Sequence, residues 1–208
     1  INQALLGEEL SEDQIVRMLK ARGNDFTHIC QTADRLRQKV AGDEVTYCVN
    51  RNVNYTNICY FKCQFCAFSK GKMSENLRGR PYDLSTEEIM RRTSEAWRRG
   101  ATEVCLQGGI HPEYTGQKYI DICHAIKQVS PEIHIHAFSP LEVWHGAYTL
   151  GVEIETFLKM LKEAGLGTLP GTAAEILDDE VRAVLCPDKI TTDQWLQVME
   201  GAHAQGIQ

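Results

Sequence analysis

Apolar residues recur along the chain with two alternating spacings. Runs of β-forming residues start near positions 53, 103, 134 and 167, and they alternate with segments whose apolar residues have helical spacing. The last two steps between strand starts are 31 and 33 residues, close to the length of one strand–helix unit. Strands that alternate with helices at this spacing predict βαβ units and a parallel sheet.

The predicted elements form an α/β fold that corresponds to part of a TIM-like barrel. Helices are predicted in five segments after residue 84: 85–100, 119–126, 154–165, 178–185 and 192–204. The doubly wound dinucleotide-binding fold is excluded because no G-x-G-x-x-G follows the first strand. We therefore expect a partial (β/α) barrel that is truncated after about four βα units.

The first part of the chain has a different pattern. Ser11 and Gln14 form a capping-box pattern, and two apolar stripes follow at helical spacing. We expect an N-terminal helical segment over 1–44 and the barrel core over 45–208, incomplete at its C-terminus. The β-rich runs 45–49 and 52–58 flank a polar break, which fits either a hairpin or one strand leading into another. The chain starts without Met and ends as a helix gives way to a strand, so we expect it to be cut at both ends.

Composition narrows the class of protein. The 208 residues are 43% hydrophobic and 24% charged, as in an ordinary globular protein. A net charge of -6 argues against nucleic acid as the main partner, which usually requires a basic patch. The sequence has neither an apolar run of about 20 residues, the length of a membrane span, nor a signal peptide. Eight cysteines could indicate disulfides, but the chain is too long for a small disulfide-stabilised scaffold and nothing in it indicates secretion, so we expect a cytoplasmic protein.

Three of the cysteines lie close together after the first predicted strand. Cys59, Cys63 and Cys66 have the spacing C-x3-C-x2-C. Three thiolates cannot close a tetrahedral structural zinc site, which takes four ligands, but they can hold three irons of a [4Fe–4S] cluster and leave the fourth iron open. The alternatives are three buried thiols, or a zinc site completed by a ligand from elsewhere in the chain. The polar stretch 69–83 that follows is expected to be a mobile surface connection.

The ends of the other strands also carry polar groups. In a (β/α) barrel the active site lies at the carboxyl ends of the strands. At these positions the chain has the segments 108–111, 139–142 and 170–175, all expected to face one opening. Gly108 and Gly109 are either an ordinary turn or a place where a ligand approaches bare backbone.

The charged and imidazole side chains near these ends have two interpretations each. Glu142 and Glu175 are either active-site carboxylates, or carboxylates that are exposed or cap a helix. His111 and His136 are either direct participants or hydrogen-bonded barrel residues. Arg182 either forms an ion pair with Glu175 or lies in solvent on its helix.

Four segments together resemble a known family. The cysteine loop with Gly108–Gly109 at the end of the next strand resembles the radical S-adenosylmethionine superfamily. Within it, the segments 107–112, 136–140 and 169–177 resemble the tyrosine-using component of FO synthase, which makes the deazaflavin core of a hydride-carrying coenzyme, F420. The resemblance covers about residues 25–208. The nearest relatives, the menaquinone enzymes of the futalosine route, are expected to have Pro-Gly-Gly-Gly-Ala-Glu where this chain has Pro-Gly-Thr-Ala-Ala-Glu.

The resemblance implies cofactors and residues that hold them. Cys59, Cys63 and Cys66 would hold a [4Fe–4S] cluster, whose open iron chelates S-adenosylmethionine and whose electron cleaves it to a 5′-deoxyadenosyl radical. Gly108 and Gly109 would contact the methionine end of the cofactor. Two further contacts are implied, by Phe65 near the adenine of the cofactor and by Glu175 at either the ribose or a substrate amine.

The resemblance also implies a reaction. The radical would take a hydrogen from L-tyrosine, the Cα–Cβ bond would break, and the hydroxybenzyl fragment would join 5-amino-6-(D-ribitylamino)uracil, releasing 2-iminoacetate. The catalytic candidates are Glu175, Glu142 and His136. The implied protein partners are an electron donor for the cluster and the second FO synthase component. The competing hypotheses are a futalosine-pathway menaquinone enzyme and a non-catalytic iron–sulfur or zinc module.

Overall fold

The protein is described here from a computed structural model, which describes residues 1–61, 63, 66 and 80–208. The chain divides into two compact units, Ile1–Tyr47 and Cys48–Gln208. Most of the stretch 69–83, with the mobility expected of it, lies outside the described residues. Within the described residues, none of the helices is long and apolar enough to cross a bilayer.

The first unit consists of helices, as predicted. They are α1 (Asn2–Leu5), α2 (Glu12–Leu19) and α3 (Gly23–Ala41). Ser11 caps α2 through the predicted capping box, in which the Ser11 N–H donates to Gln14 Oε1 at 2.8 Å and Ser11 Oγ accepts from the Gln14 N–H. The capping box gives hydrogen-bond acceptors to two backbone N–H groups at the start of the helix, those of Ser11 and Gln14. It therefore fixes where α2 begins.

The second unit contains a parallel sheet. Its strands are β1 (Asn50–Asn54), β2 (Glu103–Gln107) and β3 (His134–Ala137), in the order β1-β2-β3. The predicted fourth strand is reduced to a parallel bridge between Thr168 and His136. The hairpin alternative for the segment before the cysteines is wrong, because β1 pairs in parallel with β2 and not with the run before it.

Six helices are found among the described residues of the second unit. They are α4 (Thr86–Arg98), α5 (Gly116–Val129), α6 (Pro140–Leu150), α7 (Ile154–Glu163), α8 (Asp179–Leu185) and α9 (Thr192–Ala204). All except α6 match a predicted helix. Pattern analysis missed α6 because most of its residues are buried, so its sequence has no clear polar face.

The two faces of the sheet have different chemistry. Val104, Leu106 and Ile135 are fully buried in a large core that includes apolar residues of α5, α6 and α7. Full burial of each such side chain stabilises the fold by about 1.5–3 kcal/mol. The alternate residues of β2 and β3 are polar or cysteine and only partly buried, among them Glu103 and His136. The apolar face therefore packs against helices, and the polar face is the inner face of a partial barrel.

Candidate active site

A cavity of about 380 Å³ lies at the carboxyl ends of the strands. Seven of the nine residues expected at a functional site from the sequence line it: Cys59, Cys63, Cys66, Gly108, Gly109, Glu142 and Glu175. Of the other two, Phe65 lies outside the described residues, and His136 is not among the residues that line the cavity. The volume is within the range of small-molecule and cofactor sites.

The cysteine loop is attached to the loop that follows β2. The Tyr60 N–H donates to the Ile110 carbonyl at 3.1 Å, and the Cys66 N–H donates to the Cys63 carbonyl at 3.2 Å. Cys59 and Cys63 pack against a small buried cluster of apolar residues formed by Phe61, Ile110, Leu141 and Ile190. Two strand ends and the start of α6 thus meet around the thiols.

The chemistry of the thiols fits a metal cluster with more than one iron. Three thiolates leave one position of a tetrahedral zinc site unfilled, whereas they can hold three irons of a [4Fe–4S] cluster and leave the fourth iron open. Burial raises the pKa of the Cys63 thiol to about 11. Binding of metal therefore has to displace a proton from this thiol at neutral pH.

Gly108 and Gly109 are required by the packing of the strand ends. A Cβ at Gly109 would lie 2.2 Å from the Ile58 carbonyl oxygen and 2.9 Å from Cys59 Cβ, and a Cβ at Gly108 would lie 2.3 Å from the Tyr55 ring. The Gly109 N–H also donates to the Thr56 carbonyl at 3.0 Å. A side chain at Gly109 would therefore have to displace the cysteine loop.

Glu142 joins the ends of three strands. Its carboxylate accepts hydrogen bonds from the Gly108 N–H at 3.2 Å, from the Ser139 N–H at 2.7 Å and hydroxyl at 2.6 Å, and from the Tyr55 hydroxyl. The carboxylate is buried, and burial raises its pKa while the four donors act in the opposite direction. The contacts with Ser139 are those of a carboxylate that caps the start of α6, which was one of the interpretations of Glu142. The contact with the Gly108 N–H holds the glycine loop in position.

Glu175 lies in an unusual loop that also lines the cavity. Ala173 and Glu175 have positive φ angles of 65° and 49°, a left-handed conformation that non-glycine residues seldom adopt. The Glu175 carboxylate forms an ion pair of 2.9 Å with the ammonium group of Lys189, which also lines the cavity. The strain of this loop has to be offset by contacts around it.

Arg182 provides those contacts. Its guanidinium is buried and donates to the carbonyls of Ala174, Ile176 and Ile190, at 2.5, 3.2 and 2.6 Å. Both alternatives considered for Arg182, an ion pair with Glu175 and a solvated position, are therefore wrong. The buried cation fixes the backbone on both sides of Glu175 instead.

The two histidines occupy different places. His111 stacks on Tyr114 with ring centroids 4.7 Å apart, and its Nδ1 accepts from the Glu113 N–H at 3.2 Å. His136 Nδ1 lies 2.7 Å from the Thr168 hydroxyl on the inner face of the barrel. The catalytic role expected for His136 stays a prediction.

Sequence reasoning missed several residues that line the cavity. Asn52, Asn54 and Gln107 present amides from the inner faces of β1 and β2, and Lys189 presents an ammonium group. Every second residue from Asn50 to Asn54 is an asparagine. This two-residue period is typical of a strand and indicates that one of its faces is polar. No local pattern singles out Lys189, whose place depends on the fold.

Comparisons with known proteins agree with this geometry. The family model described as the radical SAM superfamily matches residues 53–208, which include the cysteine loop and every residue that lines the cavity except Asn52. The chain belongs to the radical SAM superfamily. This superfamily comprises enzymes that use a [4Fe–4S] cluster and S-adenosylmethionine.

Two relatives are similar to this radical SAM chain over nearly its whole length. An FO synthase of Streptomyces coelicolor is 46% identical over 199 residues, 96% of this chain and 22% of the relative. A 5-amino-6-(D-ribitylamino)uracil–L-tyrosine 4-hydroxyphenyl transferase of Methanothermobacter thermautotrophicus is 44% identical over 207 residues, all of this chain and 55% of the relative. The chain thus spans about half of one relative and less than a quarter of the other.

Solved structures with low sequence identity share the fold of this chain. Methylornithine synthase (PylB) matches 99% of this chain with a TM-score of 0.70 at 18% identity, over 56% of its own length. The hydrogenase maturase HydG matches 99% of this chain with a TM-score of 0.73 at 15% identity, over 43% of its own length. The partial radical SAM barrel expected from the sequence is confirmed.

Proposed function

We propose that this radical SAM chain is the catalytic part of an enzyme that cleaves L-tyrosine and transfers its 4-hydroxybenzyl group to 5-amino-6-(D-ribitylamino)uracil, a step in the synthesis of FO. The observation that carries the proposal is the 44% identity, over the whole chain, to a relative named for this transfer. The cavity at the strand ends supports it, because the residue types expected for this chemistry line one space.

In this proposal, Cys59, Cys63 and Cys66 hold the cluster. Gly108 and Gly109, and Phe65 from outside the described residues, contact S-adenosylmethionine. When bound, the cluster and S-adenosylmethionine would supply a carbon-centred radical that abstracts hydrogen from the substrate. The carboxylate of Glu175 and the ammonium group of Lys189 lie on the same cavity wall, 2.9 Å apart, and would orient polar groups of the bound molecules.

Other residues act by positioning. The Glu142 carboxylate fixes the Gly108 N–H, and so holds the glycine loop against the cysteine loop. The small apolar cluster of Phe61, Ile110, Leu141 and Ile190 lies behind the thiols and would keep water from the reacting groups. The electron donor, the second FO synthase component and the cytoplasmic location stay predictions.

The test is a product assay with the full-length protein that contains this chain. After anaerobic assembly of the cluster, the protein receives S-adenosylmethionine, a reductant, the ribityl uracil and L-tyrosine labelled with carbon-13 in its ring. We expect a product whose mass contains the uracil and the labelled hydroxybenzyl group. Omission of either substrate is the control, and each omission must abolish that product.

A parallel reaction with a futalosine-type nucleoside separates the main rival. Conversion of that nucleoside, with no labelled uracil product, would replace the proposal by a menaquinone-pathway activity. Absence of turnover with both substrate sets, in protein that carries a full cluster, would favour a non-catalytic iron–sulfur module.

A further inference from the structure

A second group of metal-binding side chains lies away from the cavity. Glu103, His134 and His136 each offer one ligand atom, and the three atoms lie within 4.8 Å of one another. We propose that they form a second metal site, for a divalent cation of the zinc type. This site goes beyond the proposed function, because none of the three side chains lines the cavity to which that function is assigned.

The sheet brings the three side chains to one face. Glu103 pairs with His134 in the parallel register of β2 and β3, and His136 follows two residues later. Since side chains alternate along a strand, all three lie on the inner face, opposite the buried Val104 and Ile135. His134 Nε2 lies 3.9 Å from Glu103 Oε2.

Neighbouring residues orient the ligands. Asn50 Nδ2 lies 3.5 Å from Glu103 Oε1, which leaves Oε2 directed at the imidazole. A Cβ at Gly167 would lie 2.2 Å from His134 Cε1, so the missing side chain makes the space in which this ring lies. The Thr168 hydroxyl lies 2.8 Å from His134 Nε2 and 2.7 Å from His136 Nδ1. Both imidazole nitrogens are therefore close to the same atom.

The donor set is one that zinc takes. Two imidazoles and one carboxylate, with a fourth position left to water or a hydroxyl, form a common zinc coordination sphere. The Thr168 hydroxyl has a single proton, so it donates to one imidazole and accepts from the other, whereas a cation binds the lone pairs of both nitrogens at once. Orientation of ligands by a second layer of hydrogen bonds, as Asn50 provides, is typical of metal sites.

The site is separate from the proposed cluster site. None of the three ligands lines the cavity at the strand ends. Glu103 begins β2 and Gly108 follows its end, a separation of about 16 Å at 3.3 Å per residue. A bound ion would link β2 to β3 beside the segment that contains Thr168.

The test measures zinc in the full-length protein with its cluster assembled, so that the three thiols are already occupied. The protein is treated with a chelator, titrated with zinc alone, and analysed by elemental mass spectrometry and zinc X-ray absorption. We expect one zinc per chain, with nitrogen and oxygen neighbours at about 2.0–2.1 Å and no sulfur at about 2.3 Å. Glu103→Gln and His134→Ala should each weaken zinc binding by at least ~10-fold.

The matched control is His124→Ala, since His124 is an exposed imidazole on α5 and should leave zinc binding unchanged. Glu103→Gln keeps the shape of the side chain, so it remains informative if His134→Ala fails to fold. Three results would overturn the proposal: no zinc bound by the wild-type protein, sulfur in the coordination sphere, or equal zinc affinity in Glu103→Gln and wild type.

Discussion

Replacement of Gly109 by alanine tests how the glycine loop and the cysteine loop depend on each other. The added Cβ would lie 2.2 Å from the Ile58 carbonyl oxygen and 2.9 Å from Cys59 Cβ. The nearest atom belongs to the backbone, so no side chain can rotate away to relieve the contact. The segment that carries the first cysteine must therefore move.

The size of that movement follows from the geometry. Non-bonded heavy atoms settle at about 3.5 Å, so the backbone at Ile58 has to retreat by roughly 1 Å. Metal–ligand distances tolerate only about 0.2 Å, and overpacking of this kind costs about 1–3 kcal/mol. We expect Gly109→Ala to fold, to melt at a lower temperature, and to lose most of its iron.

Gly108→Ala is the matched control. A Cβ there is just as crowded, but it meets the Tyr55 ring, at 2.3 Å, rather than the cysteine loop. The assay measures iron and sulfide per folded chain after anaerobic assembly, together with the melting temperature by circular dichroism. Equal iron content in the two variants, at similar melting temperatures, would refute the reasoning.

Two further pairs of substitutions, each a test with its control, examine individual residues. Cys63→Ala should abolish cluster assembly, whereas Cys123→Ala, which changes a buried thiol on α5, should leave the iron content at the wild-type value; equal loss in both would show that the ligands are assigned wrongly. Arg182→Lys should lower the free energy of unfolding by about 3 kcal/mol, because the single nitrogen of a lysine cannot span the carbonyls that the two terminal nitrogens of Arg182 contact. Denaturant titration measures this, with Arg99→Lys, at a residue whose side chain is 76% exposed, as a control that should change little.

Much of the fold and the site could be predicted from the sequence because the signals are local. Strand and helix periods place β2 and β3 within a residue of their observed bounds, and the spacing of Cys59, Cys63 and Cys66 identifies the loop after β1. Parallel strands then bring their carboxyl ends together, which is why the predicted glycines and carboxylates line one cavity with the cysteines.

The features that could not be predicted depend on contacts between distant parts of the chain. The atoms that exclude a side chain at Gly109 belong to Ile58 and Cys59, about fifty residues earlier. The contacts of Arg182 are backbone carbonyls, which leave no trace in the pattern of side chains. The helix α6 was missed for a similar reason, since burial on all sides removes the amphipathic period that sequence analysis detects.

The central claim is that the cavity at the strand ends holds a cluster on three cysteines and binds S-adenosylmethionine beside it. The most direct measurement is electron paramagnetic resonance of the reduced, anaerobically assembled full-length protein, combined with iron and sulfide analysis. The account predicts about four irons and four sulfides per chain, with a spectrum that shifts when S-adenosylmethionine is added. Stoichiometric zinc without labile sulfide, or a cluster whose spectrum does not respond to S-adenosylmethionine, would contradict it.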